Sequence, residues 1–123
     1  KHPIICILPD QYEGINMGAT MRLGSCPCKI EKGTLAHKIY GDTLIHERHR
    51  HRYELNPEYI EVLEKNGLKF SGKAPKSPIM EILELPKHPF FIATQGHPEF
   101  KSRVESPAPL FVHFVKACLD KKA

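Results

Sequence analysis

No stretch of this 123-residue sequence approaches the ~18 consecutive apolar residues of a membrane-spanning helix, and no basic segment leading into a secretory apolar core is present. These absences exclude the usual signature of a helical membrane span and predict a soluble protein. Cysteine is sparse, with residues at 6, 26, 28 and 118 and no C-x-x-C pair, so a zinc-knuckle pattern is missing. Four cysteines alone do not separate a disulfide framework from free thiols. Without a secretion signal, reduced thiols and a cytoplasmic location are expected. Neither sign of charge dominates: the formal net charge is +4, and the basic residues concentrate in one run instead of covering a face. That distribution weighs against an extended nucleic-acid surface. Internal repeats, low-complexity tracts and interdomain linkers are also lacking.

What is present is an ordinary globular mixture. Hydrophobic residues make up 41% and charged residues 26%, which supports a folded core despite 11 prolines. The length suits one small domain or a piece of a larger one. Because Lys1 and His2 lead straight into the apolar run Pro3-Ile4-Ile5-Cys6-Ile7-Leu8, the sequence is expected to begin mid-protein.

That run, closed by Pro9-Asp10, predicts a buried strand. Asp10 to Ala19, with Gly14, Asn16 and Gly18, reads as a loop, and Thr20 to Ile30 as extended chain interrupted or bulged at Gly24 and Pro27. A short helix is expected over Thr34 to Tyr40, stopped by Gly41-Asp42. Leu44 to Leu55 reads as one strand, with Arg48, Arg50 and Arg52 on one face and His49, His51 and Tyr53 on the other. Asn56-Pro57 opens a second helix that Gly67 ends. Strands are expected at Leu68 to Ser71, Ile79 to Leu85 and Phe90 to Thr94. Ser106-Pro107 opens a last helix with the apolar stripe Leu110, Phe111, Phe114, Val115 and Cys118. Cys6, Cys118, Phe90 and Phe91 read as core residues. The mixture indicates an α/β or α+β unit and leaves open whether the sheet is parallel.

The segment richest in chemistry is Thr94-Gln95-Gly96-His97-Pro98-Glu99-Phe100. Pro98 biases His97 toward an extended conformation, and residues two apart on extended chain share a side, so Glu99 reaches the ring of His97. A carboxylate on one imidazole nitrogen fixes the tautomer and leaves the other free to accept a proton from a nucleophile. An isolated H-x-E also matches a loop histidine beside a solvated glutamate, and the motif alone does not separate the two. Two other uses of the chain compete. His46, His49 and His51 are imidazoles on one stretch, but Arg48, Arg50 and Arg52 surround them with fixed positive charge, which disfavours a divalent cation, and no metal site is expected. The alternation of arginine and histidine beside Tyr53 is compatible with a phosphate or nucleic-acid module, or with a charged strand packed against Glu47 and Glu54.

Read together, Gly18-Ala19-Thr20-Met21-Arg22-Leu23-Gly24, Glu47-Arg48-His49-Arg50-His51-Arg52-Tyr53-Glu54 and Gln95-Gly96-His97-Pro98-Glu99-Phe100 occur in the order and approximate spacing of the CTP synthase family. Lys1-His2-Pro3, Leu8-Pro9-Asp10-Gln11, Leu68-Lys69-Phe70-Ser71-Gly72 and His88-Pro89-Phe90-Phe91 resemble it as well. The resemblance covers nearly the whole chain, and the R-H-R-H-R-Y run is its most specific part. It implies an α/β, class I glutamine amidotransferase-like (flavodoxin-like) sheet with flanking helices, of which residues 1–123 would be the C-terminal portion. By the same resemblance His97 is the general base and Glu99 its orienting acid in hydrolysis of glutamine to glutamate and ammonia. Arg52 matches the residue that helps bind glutamine, and its fork suits a carboxylate as a lysine does not. The family passes the ammonia to a separate synthase (amidoligase) domain that converts UTP to CTP with ATP and magnesium, under activation by GTP, in a homotetramer. No cofactor is implied for the amidotransferase domain itself. Asp10 to Ala19 corresponds to a region near the junction of the two domains, which implies a partner-facing role.

The sequence departs from the pattern in three places. The family's nucleophile is a cysteine in a G-x-C-x-G turn upstream of the Lys1-His2-Pro3 element, so that half of the domain and the synthase domain are expected outside these residues. Alone, the chain is then expected to be inactive. The nearest imitation, Gly24-Ser25-Cys26-Pro27-Cys28, fails mechanically because Pro27 has no N–H to give to an oxyanion hole. Ala19 stands where a second glycine is usual, which predicts strain if φ is positive there. Gly96 stands where an aromatic residue is more frequent, which predicts looser packing around His97.

Overall fold

Every strand pairing is antiparallel in the computed structural model, which describes residues 2–7 and 21–121. The expected loop from Asp10 to Ala19, the strain expected at Ala19, and the motif residues Lys1, Leu8 to Gln11 and Gly18 to Thr20 lie outside the described residues. A five-stranded sheet runs in the order β3 (Leu44–His51), β2 (Arg22–Ile30), β5 (Lys69–Lys73), β6 (Met80–Glu84), β7 (Ile92–Thr94). A separate two-stranded ribbon pairs β1 (Ile5–Ile7) with β4 (Tyr53–Leu55). Helices α1 (Leu35–Tyr40), α2 (Ile60–Lys65) and α3 (Pro109–Asp120) complete the order.

The core is small and sits between α1 and the sheet. Cys28, Ile30, Ala36 and Ile82 are buried together, with Tyr40, Ile45 and Ile92 packed against them. Full burial of an isoleucine is worth roughly 1.5–3 kcal/mol, so this cluster accounts for much of the hold between β2, β6 and α1. At six residues α1 is too short to persist alone. Thr34 caps it by accepting from the His37 N–H at 3.2 Å, and Gly41 ends it in the left-handed conformation. The buried Glu84 carboxylate on β6 takes the Leu35 and Ala36 N–H groups, both at 3.0 Å. These bonds satisfy orphan donors of the first turn and place a negative charge at the helix N-terminus.

Several expectations are corrected. Leu44 to Leu55 is two strands: β3 pairs with β2, β4 pairs with β1, and the chain bends at Arg52 between them. Arg52 therefore does not share a face with Arg48 and Arg50, nor Tyr53 with His49 and His51. The β2–β3 register runs without a slip from Arg22↔His51 to Lys29↔Leu44, through both Gly24 and Pro27. Proline is tolerated there because β2 meets β5 only at Lys29 and Ile30, so no described strand pairs with the rest of that edge. The β1 strand is not buried: Ile5 is exposed and Cys6 and Ile7 are half-buried, since a two-stranded ribbon covers little of its own surface. The helix after Asn56 begins as a 3₁₀ turn over Pro57–Tyr59 before α2 forms. Helix α3 starts at Pro109, after Ala108 donates its N–H to Ser102 Oγ at 3.0 Å, and not at Ser106-Pro107. Of its stripe only Leu110 is buried; Phe111, Phe114, Val115 and Cys118 are exposed because no described element covers that face. Cys6 is half-buried, Phe90 packs on Phe114 with ring centres 5.9 Å apart, and Phe91 is exposed, so none of these is a core residue in the sense expected.

Candidate active site

The turn after β7 crosses from one edge of the sheet to the other. On the β6 side the Gln95 N–H donates to Glu81 O at 2.8 Å, and on the β3 side the His97 N–H donates to Arg48 O at 2.8 Å. Gly96 lies between them. A Cβ on it would come within 2.9 Å of Glu47 Cβ, so only glycine fits this crossing. The glycine is what lets the loop approach β3. Lys101 Nζ reinforces the crossing with a 2.5 Å bond to His46 O.

The 3₁₀ turn Pro98–Phe100 returns Glu99 to the histidine. His97 Nδ1 donates to Glu99 Oε1 at 2.7 Å, and the imidazole stacks on Phe100 with ring centres 5.2 Å apart. With Nδ1 occupied, the tautomer assigned by this bond leaves Nε2 as the acceptor. Both side chains face solvent, at 37% and 51% exposure. The hydrogen bond to His97, helped by one to backbone N–H, holds the Glu99 carboxyl below its ordinary value. It therefore stays ionised while it orients the ring.

Arg52 sits at the bend where the chain leaves the large sheet for the ribbon. Its Nε is buried and has no hydrogen-bond partner among the described residues. The His97 loop approaches the same corner through Gln95, whose Nε2 donates to Tyr53 O at 3.5 Å. The structure thus links the two sequence-predicted elements through the Gln95 side chain and the Tyr53 carbonyl and shows no direct bond between Arg52 and His97.

Beneath the loop lies a charged cluster that sequence reasoning missed. Glu81 on β6 ion-pairs with Arg22 on β2 and, at 2.5 Å through Oε2, with His49 Nε2 on β3. His49 Nδ1 lies 2.9 Å from Glu47 O, so both ring nitrogens face oxygen acceptors. His51 Nδ1 donates to Tyr53 O at 2.9 Å, and its Nε2 accepts from Arg22 at 3.4 Å. Burial would raise the Glu81 pKa, but the bonds and charges of His49 and Arg22 outweigh it and bring the carboxyl below its ordinary value. Burial lowers that of His51. One signal in the sequence pointed here: Glu81 interrupts the otherwise apolar face of Ile79, Leu83 and Leu85.

The rival readings fare differently. His46 is on the exposed face of β3 while His49 and His51 are buried on the other, so the three imidazoles do not converge. Among the described residues no group of three or more His, Cys, Asp and Glu side chains is arranged to hold a metal ion. Cys26 lies in mid-strand opposite Glu47, not on a strand-to-helix elbow. Burial, chiefly, pushes the Cys28 thiol up to about 12, which leaves it un-ionised and inert. Arg48 and Arg50 stay on the exposed face of β3, lining with Leu23 and Phe100 a shallow groove. No helix among the described residues is long and apolar enough to cross a membrane.

Comparison with known proteins gives a consistent answer. The family profile described as glutamine amidotransferase class-I matches residues 8–117. The chain is 59% identical over 118 residues to a CTP synthase of Rubrobacter xylanophilus, covering 96% of this chain and 21% of that protein. It is 60% identical over 116 residues to a CTP synthase of Methanothrix thermoacetophila, covering 94% and 21%. The chain thus spans about a fifth of the length of the curated relatives it matches. Among solved structures it is similar to the glutaminase domain of Trypanosoma brucei CTPS with bound acivicin, at a TM-score of 0.87 and 39% identity, over 97% of this chain and 47% of that one. The curled antiparallel sheet with flanking helices is accordingly part of a class I amidotransferase fold. The chain belongs to the class I glutamine amidotransferase family and, within it, is similar to CTP synthases.

Proposed function

We propose that these residues form the C-terminal portion of a glutamine-hydrolysing domain within a CTP synthase, with His97 as general base, Glu99 as its orienting acid and Arg52 holding the glutamine carboxylate. The observation that carries the reading is the 2.7 Å bond from His97 Nδ1 to Glu99, which leaves Nε2 free to accept a proton. Arg52 suits its role because a guanidinium whose Nε is buried without a partner among the described residues gains most from a planar anion, and a carboxylate matches its fork.

The attacking thiolate comes, in this reading, from a segment outside the 123 residues. His97 Nε2 takes the proton of the thiol as sulfur attacks the amide carbon, then delivers it to the departing nitrogen. Ammonia leaves, and a glutamyl thioester remains. His97 next takes a proton from water as the water oxygen attacks the thioester, releasing glutamate and restoring the thiol. Ammonia passes to the amidoligase domain for amination of UTP with ATP and magnesium, under GTP activation, in a cytoplasmic homotetramer.

The test is His97→Asn in the full-length enzyme. Glutamine hydrolysis should fall about 10²–10⁴-fold, the range for a lost general base, while CTP formation from supplied ammonia persists. Unchanged hydrolysis would remove His97 from the mechanism.

A further inference from the structure

We propose that Glu81 and His49 are positioning residues for His97, setting the height of its loop above the reacting atoms. The inference rests on His97 being the base.

The strands that carry them are not neighbours, for β6 and β3 are separated by β5 and β2 in the sheet order. Their side chains nevertheless meet at 2.5 Å, at 1% and 2% exposure, across the inside of the curled sheet. The same two points anchor the loop. Glu81 receives the Gln95 N–H on its carbonyl and His49 on its carboxylate, while the carbonyl next to His49, that of Arg48, receives the His97 N–H.

The loop thus spans, with three residues, a gap that the buried pair sets. It has no slack. Gly96 is stopped against Glu47 on the inner side, with Thr94 Oγ1 at 3.4 Å and His49 Cε1 at 3.5 Å from a Cβ built there. Arg22 grips the other Glu81 oxygen and prevents the carboxylate from rotating away. Any change in the β6–β3 gap therefore reaches the backbone N–H of His97, and reacting groups displaced by ~1 Å lose on the order of 10²-fold in rate. A cluster that served stability alone would have no need to share its anchor residues with the loop.

Two variants of the full-length enzyme test this. Glu81→Gln keeps the shape but cannot accept from both Arg22 and His49 as a carboxylate does, and Gly96→Ala leaves the pair intact while lifting the loop. Each should lower kcat for glutamine hydrolysis at least tenfold, with the glutamine KM within twofold and ammonia-dependent CTP formation unchanged. His49→Gln should behave as Glu81→Gln does. Variants that keep kcat within twofold while His97→Asn abolishes hydrolysis would overturn the proposal and leave the assignment of His97 standing. Loss of the glutamine- and ammonia-dependent rates together would mark a purely structural cluster and overturn it too. If His97→Asn hydrolyses glutamine normally, the proposal falls with the reading beneath it.

Discussion

Two histidine–carboxylate pairs, His97–Glu99 and His49–Glu81, have nearly the same bond length, 2.7 and 2.5 Å, and opposite surroundings. In the open pair one imidazole nitrogen is bonded and Nε2 is left over. In the buried pair both nitrogens are bonded, and the carboxylate has an arginine besides. The difference teaches that the contact alone does not suit an imidazole to act as a base; an unoccupied nitrogen does, and of the two only His97, the base proposed above, has one. Burial converts the same two side chains into a brace, because removing charge from water is tolerable only when every polar atom finds a partner.

The comparison breaks most readily at its extremes. Substituting His97 by Asn should cost the 10²–10⁴-fold in glutamine hydrolysis given above with no measurable change in stability, since the ring is solvent-facing. Substituting Glu81 by Ala should instead destabilise the fold by about 3–5 kcal/mol, the usual result of stranding a buried charged partner, read as a lower urea midpoint. If Glu99→Ala destabilised as much as Glu81→Ala, the distinction between base and brace would fail.

Arg52→Lys sharpens the account on the substrate side. If Arg52 holds the glutamine carboxylate as proposed, losing its two-pronged fork should raise the glutamine KM roughly tenfold to a hundredfold, from the ~1.5–3 kcal/mol of a charged hydrogen bond, with less effect on kcat.

The smallest effect is on stability against pH. His51 is held below its ordinary 6.5 by burial, so the unfolded chain binds its proton first, and stability is complete above that value and falls as pH drops from it through the folded pKa. Glu81 is also held low, so its contribution is complete above about 4.5 and is lost as pH falls through its own folded pKa. A melting temperature followed from neutral to acid should decline in these two stages, and His51→Gln should remove the first.

Which of the two pairs the sequence reveals follows from chain distance. Glu99 is two residues from His97 and Pro98 fixes the geometry between them, so local stereochemistry is enough. His49 and Glu81 are 32 residues apart, and their meeting depends on how far the sheet curls, which no local pattern encodes. Helix α1 was legible because Thr34 and Gly41 are capping residues in their own right, whereas its anchor Glu84 was not, being supplied by a distant strand. The bend at Arg52 was missed for a related reason: alternation continues through it, and only the change of pairing partner from β2 to β1 reveals it. The α3 stripe was read as core because amphipathicity states that a face is apolar, not what covers it.

The most direct test of the central claim is the ¹⁵N NMR signature of the His97 ring in the full-length enzyme at neutral pH. A proton on Nδ1, a free Nε2, and loss of that preference in Glu99→Gln are expected. A proton on Nε2 in the unsubstituted enzyme would contradict the claim, because the nitrogen assigned as the base would then have nothing with which to accept.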